Sequence, residues 1–405
     1  MPPTPGNRRF VIEALLFLTY AAFGVSWLAL SPLTTDLMGF FQVTKREFSF
    51  VNTAVTIAKV IAPIVTGAVA IRLGLKRTIL VGSLFICAAL VSPLLPSFPV
   101  FLASRFLFGV GGAVVVTLTG PMVMQWFPRD ELPLVNALNG VAVNSGIAVA
   151  MFLTARVAGT SLGWRGTLLL FGSVNAALFV AWALLGRDRE APPKKAGEAP
   201  DAPVGYRDVW RIRETWLCTL AFTGGVAVYL GFSYWLPTYY ETELHFAKVA
   251  AGQYSGTVNL VGIPSAVVFG LLTRRLGVRR PFVIVGGILS GTAAFGMFLS
   301  SSPAVIFASA LVLGVSLFIP TGAVVTAMME APGVTPRHMS LMMGTMFSFC
   351  YMVCSFLPTY VMALIRDATG SFVPGFVVLT VFSWVIVGAG LMLRETGPGR
   401  QAARA

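Results

Sequence analysis

Charge is what this chain has least of: 11% of its 405 residues are Asp, Glu, Lys or Arg, against 56% hydrophobic. Soluble domains carry roughly 25% charged residues, so a water-soluble surface of this size is excluded. Acids are scarcer still. There are sixteen, and none stands in the middle third of any long apolar run. A buried carboxylate is the usual proton-relay group of membrane pumps and transporters, so a relay of that kind is excluded. Histidine is down to two and cysteine to four (Cys87, Cys218, Cys350 and Cys354), with every cysteine inside an apolar run. That pattern implies neither a disulfide framework nor a metal site, and no cofactor is expected. Cys350 and Cys354 share a helix face, where free thiols pack as small hydrophobes. No nucleotide loop, nucleophile motif or attached soluble domain is visible, which speaks against an enzyme or a sensor.

Long apolar runs are what the chain has instead, and its mean hydropathy is +0.81. A helix needs ~20 apolar residues to cross a bilayer. Twelve runs of about that length occur, at 10–33, 48–71, 77–95, 98–122, 134–157, 164–185, 215–240, 248–273, 281–300, 303–328, 339–364 and 371–393. The first follows Arg8 and Arg9, is too long for a signal peptide and lacks a cleavage site, so it reads as a retained span. Thr44 and Glu47 have the spacing of a capping box before the second span. Thr335-Pro336 puts a cap and an N1 proline ahead of the eleventh.

Residues 186–208, "GRDREAPPKKAGEAPDAPVGYRD", are rich in Ala, Pro and both charges, and read as a mobile linker. The expected organisation is therefore an all-α integral membrane protein: a six-helix bundle in 1–185, a linker in 186–214 and a second six-helix bundle with a tail in 215–405. An internal repeat supports the division. "GAVAIRLGLKR" (67–77) returns 203 positions later as "GLLTRRLGVRR" (270–280), at the ends of the second and eighth spans.

The formal charge of +13 has no basic face or nucleic-acid motif behind it, and a nucleic-acid partner is not expected. With the N-terminus inside, 21 of the 29 Lys and Arg residues fall in inner segments and six in outer loops. That asymmetry places both termini and the linker in the cytoplasm, with the chain in the inner membrane.

The two remaining bases lie within spans. Lys59 stands near the middle of the second, where an ammonium costs roughly 2.5–3.5 kcal/mol on insertion scales. Ser49, Asn52, Thr56, Lys59, Pro63 and Thr66 recur at steps of three and four, forming one polar stripe expected to face a wet cavity. The structural reading of Lys59 has it bonded to carbonyls or to an Asn such as Asn144. The functional reading, an anchor or coupling group, is preferred because ionisable groups inside the membrane are functional by default. Arg105 sits about two turns below the outer surface, long enough to snorkel outward, beside Gly109, Gly111 and Gly112. The matching face of the eighth span carries Ser255, Asn259 and Gly262. Thr345, Ser348, Ser355 and Thr359 make a second polar stripe on the eleventh span. Trp27 with Tyr20, Tyr229, Trp235 and Tyr351 are candidate aromatic lining. Pro63, Pro264, Pro320 and Pro358 mark candidate bends, where freed carbonyls can meet a ligand.

These residues resemble the major facilitator superfamily over essentially the whole chain. The family's loop after the second span reads Gly-x-x-x-Asp-Arg-x-Gly-Arg-Lys/Arg-Lys/Arg, and Gly67, Arg72, Gly74, Lys76 and Arg77 fit it. Gly270, Arg275, Gly277, Arg279 and Arg280 echo it. "RFLFGVGGA" (105–113) is similar to the family's fourth-span motif and "GWRGT" (163–167) to its turn before the sixth span. The acid expected before Arg72 is Ile71, and its counterpart is Arg274, which puts the family's cytoplasmic latch in question. "GVAVNSG" (140–146) resembles a motif of nitrate and nitrite porters, and part of the layout resembles heme and choline carriers; no subfamily is assigned.

The resemblance implies two bundles rocking about a central site. The expected function is alternating-access transport of a small organic or inorganic anion by a monomer, with proton or exchange-ion coupling left open. The alternative is an exporter of cationic or amphipathic compounds held by an aromatic cage.

Overall fold

The computed structural model describes residues 7–189 and 204–398. Among them the chain is helical throughout, without a strand. Eleven helices are long and apolar enough to cross a membrane, and a shorter apolar helix, Arg280–Gly296, stands where the ninth span is expected. Twelve apolar runs thus become twelve helical segments in the expected order. Residues 190–203, in the middle of the expected linker, lie outside the described residues.

Backbone chemistry explains the boundaries. Before the second span, Phe50–Leu73, the capping box closes as its sequence requires. The Thr44 N–H donates to Glu47 Oε2 at 2.8 Å, and the Glu47 N–H donates to Thr44 Oγ1 at 3.2 Å. The eighth span, Lys248–Leu276, stops at Gly277, whose φ of +64° is the left-handed conformation that suits glycine. Helix continues through Pro63, Pro264 and Pro320. At Pro358 the hydrogen-bond ladder changes: Pro336–Phe356 runs into a π-helical turn, Leu357–Val361. Trp235 Nε1 donates to the Pro358 carbonyl at 2.7 Å. That carbonyl meets an indole of the same unit, and Trp235 has a structural task.

The chain separates into two compact units. One comprises Met1–Pro128, Ala142–Arg211 and Val334–Ser348; the other comprises Arg129–Val141, Ile212–Gly333 and Phe349–Ala405. Each is mostly one six-span half of the sequence with one borrowed piece. The first unit takes the beginning of the eleventh span, and the second takes the beginning of the fifth. Close backbone packing within the units is the reason. In the first, a Cβ on Gly67 would lie 2.7 Å from the Ser340 carbonyl oxygen. In the second, a Cβ on Gly270 would lie 2.7 Å from Ala137 Cβ. The repeated motif therefore opens on glycine in both halves because a helix from the other half crosses there.

Small residues do similar work in the fourth span, Phe98–Trp126. Gly109 faces Val55 and Ala58, Gly111 faces Gly82 and Ile86, and Gly112 faces the Phe23 ring. Helices packed in lipid gain little from burying apolar surface against each other, so such close backbone approach supplies the contact. Large residues turned outward, such as Ile57, Ile61 and Val65 on the second span, are 47–54% exposed in the protein alone and suit a lipid environment.

Candidate functional site

The polar stripe of the second span divides at its midpoint. Asn52 is exposed and Thr56 half-buried, whereas Lys59, Pro63 and Thr66 are buried. The exposed part holds a side chain from the first span, Arg8–Leu28: Trp27 Nε1 donates to Asn52 Oδ1 at 3.1 Å. The indole so fixed lies over Lys59, with Nζ 3.5 Å from a Trp27 ring centroid. Nζ is also 5.1 Å from the Phe23 ring centroid. An ammonium against aromatic faces is held by the ring quadrupoles, worth up to about 2 kcal/mol when desolvated. Those rings carry no net charge and do not neutralise the lysine. The geometry brings together Lys59, Asn52 and Trp27, three of the expected site residues. Thr56 turns its hydroxyl to the Asn52 carbonyl, 3.0 Å away.

Phe23 belongs to this group although the sequence did not single it out. Its signal was its place four residues before Trp27 on one helix face. It stacks on Phe108, with centroids 4.5 Å apart, and so joins Lys59 to the fourth span.

Arg105 does not snorkel. Its side chain is 1% exposed, its guanidinium lies 4.2 Å from the Phe108 ring centroid, and one terminal nitrogen donates to the Ser26 carbonyl at 3.3 Å. The glycines beside it let neighbouring helices close over it. Its Nε is buried without a hydrogen-bond partner. Asn144 lies half-buried on the fifth span, Leu132–Ala158.

Two hydroxyls of the eleventh-span stripe bond to other helices. Ser348 Oγ accepts the Ile64 N–H at 3.2 Å, and Thr345 Oγ1 accepts from Trp210 Nε1 at 3.0 Å. Both hydroxyls serve helix contacts within the first unit. The side chain of Thr359 is outside the described residues. In the second unit Tyr229 is half-buried with its ring edge-on to Phe318. Asn259 and Tyr351 are half-buried as well.

The acids missing from the two motif loops are replaced from elsewhere in the chain. In the first loop Asp188, which follows the sixth span, accepts the Lys76 N–H at 2.8 Å. In the second, Glu395, which follows the twelfth, accepts the N–H groups of Arg279 and Arg280 at 2.8 and 3.1 Å. Arg279 is 1% exposed and meets Glu330 with two nitrogens, at 3.2 and 3.0 Å. A third nitrogen donates to the Thr273 carbonyl at 3.0 Å. A buried ion pair requires such full hydrogen bonding. Arg274 reaches Asp130 at 3.3 Å and Glu131 at 3.7 Å. Arg72 and Arg77 are exposed, and Arg280 donates to the carbonyls of Gly390 and Leu391. Gly74 holds φ +84° and Gly277 +64°. Arg275 lies in the last turn of its helix.

The model of the Major Facilitator Superfamily matches residues 15–358. Over 392 residues the chain is 24% identical to the nitrite extrusion protein of Bacillus subtilis (strain 168), covering 92% of each. It is 20% identical over 292 residues to the 2-nitroimidazole transporter of Escherichia coli (strain K12), covering 72% of this chain and 73% of that one. Its fold is similar to that of FucP in the outward conformation, with a TM-score of 0.74 and 14% identity over 96% of this chain and 100% of that one.

Proposed function

The chain belongs to the major facilitator superfamily, a family of membrane transporters, and from that premise we propose that it carries a small organic or inorganic anion by alternating access, with Lys59 as electrostatic anchor. One observation carries the reading: a lysine 2% exposed stands at the middle of a span, in a chain whose spans hold no acid in their middle thirds. A cation at this depth stabilises an anionic substrate. The likeness to a nitrite extrusion protein supports the same charge class. Asn52, Trp27 and Asn144 complete the site on the first unit; Tyr229, Asn259 and Tyr351 are candidates on the second. Without a carboxylate in the middle third of any span to relay protons, the flux is exchange, facilitated passage, or symport in which the anion itself brings the proton.

The rival, a quaternary amine in an aromatic cage, is disfavoured by Trp27. Its ring face already holds an ammonium.

Thermal unfolding of the purified protein against nitrate, nitrite, small carboxylates and quaternary amines tests the charge class. A ligand at a hundredfold over its Kd adds about 2.7 kcal/mol of stability. The expected result is an upward shift with at least one anion; a shift with amines alone overturns the reading.

The excess of bases in alternate segments supports an inner-membrane protein with both termini and residues 186–214 in the cytoplasm. A protease added to sealed vesicles of known sidedness is expected to cut that segment from the cytoplasmic face. Cutting from the opposite face alone inverts the topology.

A further inference from the structure

The polar groups around Ile64 have a pattern that substrate binding does not explain. Ile64 follows Pro63, which has no N–H to give to the ladder of the second span. Both backbone groups of Ile64 bond outside that span. Its N–H donates to Ser348 Oγ on the eleventh span, and its carbonyl accepts from the Tyr206 hydroxyl. Tyr206 opens a five-residue helix, Tyr206–Trp210. At the helix's other end Trp210 Nε1 donates to Thr345 Oγ1 at 3.0 Å, again on the eleventh span. The start of the helix is fixed by the Gly205 N–H, which donates to Asp208 Oδ2 at 2.8 Å.

The space for the phenol is made by two glycines. A Cβ on Gly67 would lie 2.7 Å from the Tyr206 oxygen, and a Cβ on Gly344 would lie 3.0 Å from it. Gly67 belongs to the second span and Gly344 to the eleventh. The same two glycines bring those spans into backbone contact, since Gly344 would also meet the Pro63 carbonyl oxygen at 2.6 Å. All these residues belong to one compact unit. A tyrosine hydroxyl is protonated and a donor at neutral pH, and burial pushes its pKa further up. The repeat-related crossing of the eighth and fifth spans has no such aromatic among its described contacts and carries the Arg274 ion pairs with Asp130 and Glu131 instead.

We infer that Tyr206 is a positioning residue of the transport cycle: through the Ile64 carbonyl it clasps the second span to the eleventh, and the crossing opens only when the clasp releases. The inference rests on the alternating-access part of the function proposed above and is independent of the substrate's charge.

The test is a reporter thiol at the crossing. Ser340 is 1% exposed and its carbonyl faces Gly67, so Ser340→Cys is shielded while the crossing is closed. Cys87, the half-buried native thiol, is replaced by serine, and the rate of labelling by a hydrophilic maleimide is measured on the purified full chain. Tyr206→Phe, which removes one hydrogen bond and keeps the ring, is expected to raise the rate about fivefold. Tyr206→Ala, which also empties the space between the glycines, is expected to raise it more than tenfold, and Trp210→Phe to raise it about as much as Tyr206→Phe. Equal rates in all backgrounds overturn the clasp and leave alternating access standing. No labelling in any background means that the crossing never opens, which overturns both. A lowered thermal midpoint in Tyr206→Ala with an unchanged labelling rate reduces Tyr206 to packing and also overturns the inference.

Discussion

Lys59→Gln is expected to reach the membrane, fold, and lose most anion binding. The amide keeps much of the side chain's length and its hydrogen bonding, and it removes the charge. Hydrogen bonds to a charged group contribute about 1.5–3 kcal/mol, so affinity for whichever anion shifts the parent's unfolding should fall roughly tenfold to a hundredfold. Lys59→Arg should keep part of the binding, because the charge survives while a planar guanidinium cannot take the compact position under the indole. Trp27→Phe supplies the complementary measurement. It removes the bond to Asn52 and weakens the ring face over Nζ while leaving the charge, and it should reduce affinity less than Lys59→Gln. Titrating nitrate, nitrite or the active carboxylate against each purified variant reads all three. Unchanged binding in Lys59→Gln removes the anion reading and promotes the aromatic-cage alternative. A variant that fails to fold while Lys59→Arg folds makes the lysine a structural cation.

Gly146→Val should cost the fold more than any substitution on a lipid-facing surface. A Cβ at Gly146 would stand 1.9 Å from the Ala21 carbonyl oxygen and 3.0 Å from the Val25 amide nitrogen. One turn along the same crossing, a Cβ at Gly24 would stand 2.4 Å from the Val143 carbonyl oxygen. The obstacles are backbone atoms, which cannot rotate aside as a side chain does, so the first and fifth spans must separate. Overpacking in a well-filled interior costs roughly 1–3 kcal/mol, and rigid obstacles place this site at the upper end. Thermal unfolding and size-exclusion profiles of the detergent-solubilised protein should show a lowered midpoint or loss of the monodisperse peak. Gly252 is the control: it sits in a helix with nothing within 4 Å of an added Cβ, and Gly252→Ala should be neutral or slightly stabilising. If Gly146→Val unfolds at the parent's temperature, the two spans do not cross there.

What the sequence determined by itself was everything that depends on short stretches meeting lipid or their own neighbours along a helix. Apolar run length set the spans, the repeated eleven residues revealed two related halves, and the three-and-four spacing from Asn52 to Lys59 placed those groups on one face. The Thr44–Glu47 box closed as read because both partners lie within one turn. What only the tertiary structure decided was which partner each polar group meets when the partner is far away in the chain. Ile71 and Arg274 suggested loops without acids, and Asp188, Glu330 and Glu395 supply them from 51 to 116 residues away. Ser348 and Thr345 stood in a polar stripe on the eleventh span, and their hydroxyls meet Ile64 and Trp210. Arg105 was long enough to reach the surface and is sealed in by the glycines beside it. Tyr206 stood in a stretch whose composition reads as linker, and its position came from two glycines on different spans. The physical reason is the same in each case. Hydropathy and helical period are local and fix which face a residue occupies. The choice among facing groups is made where helices cross, by how closely two backbones can approach, and that distance is written in residues far apart in the chain.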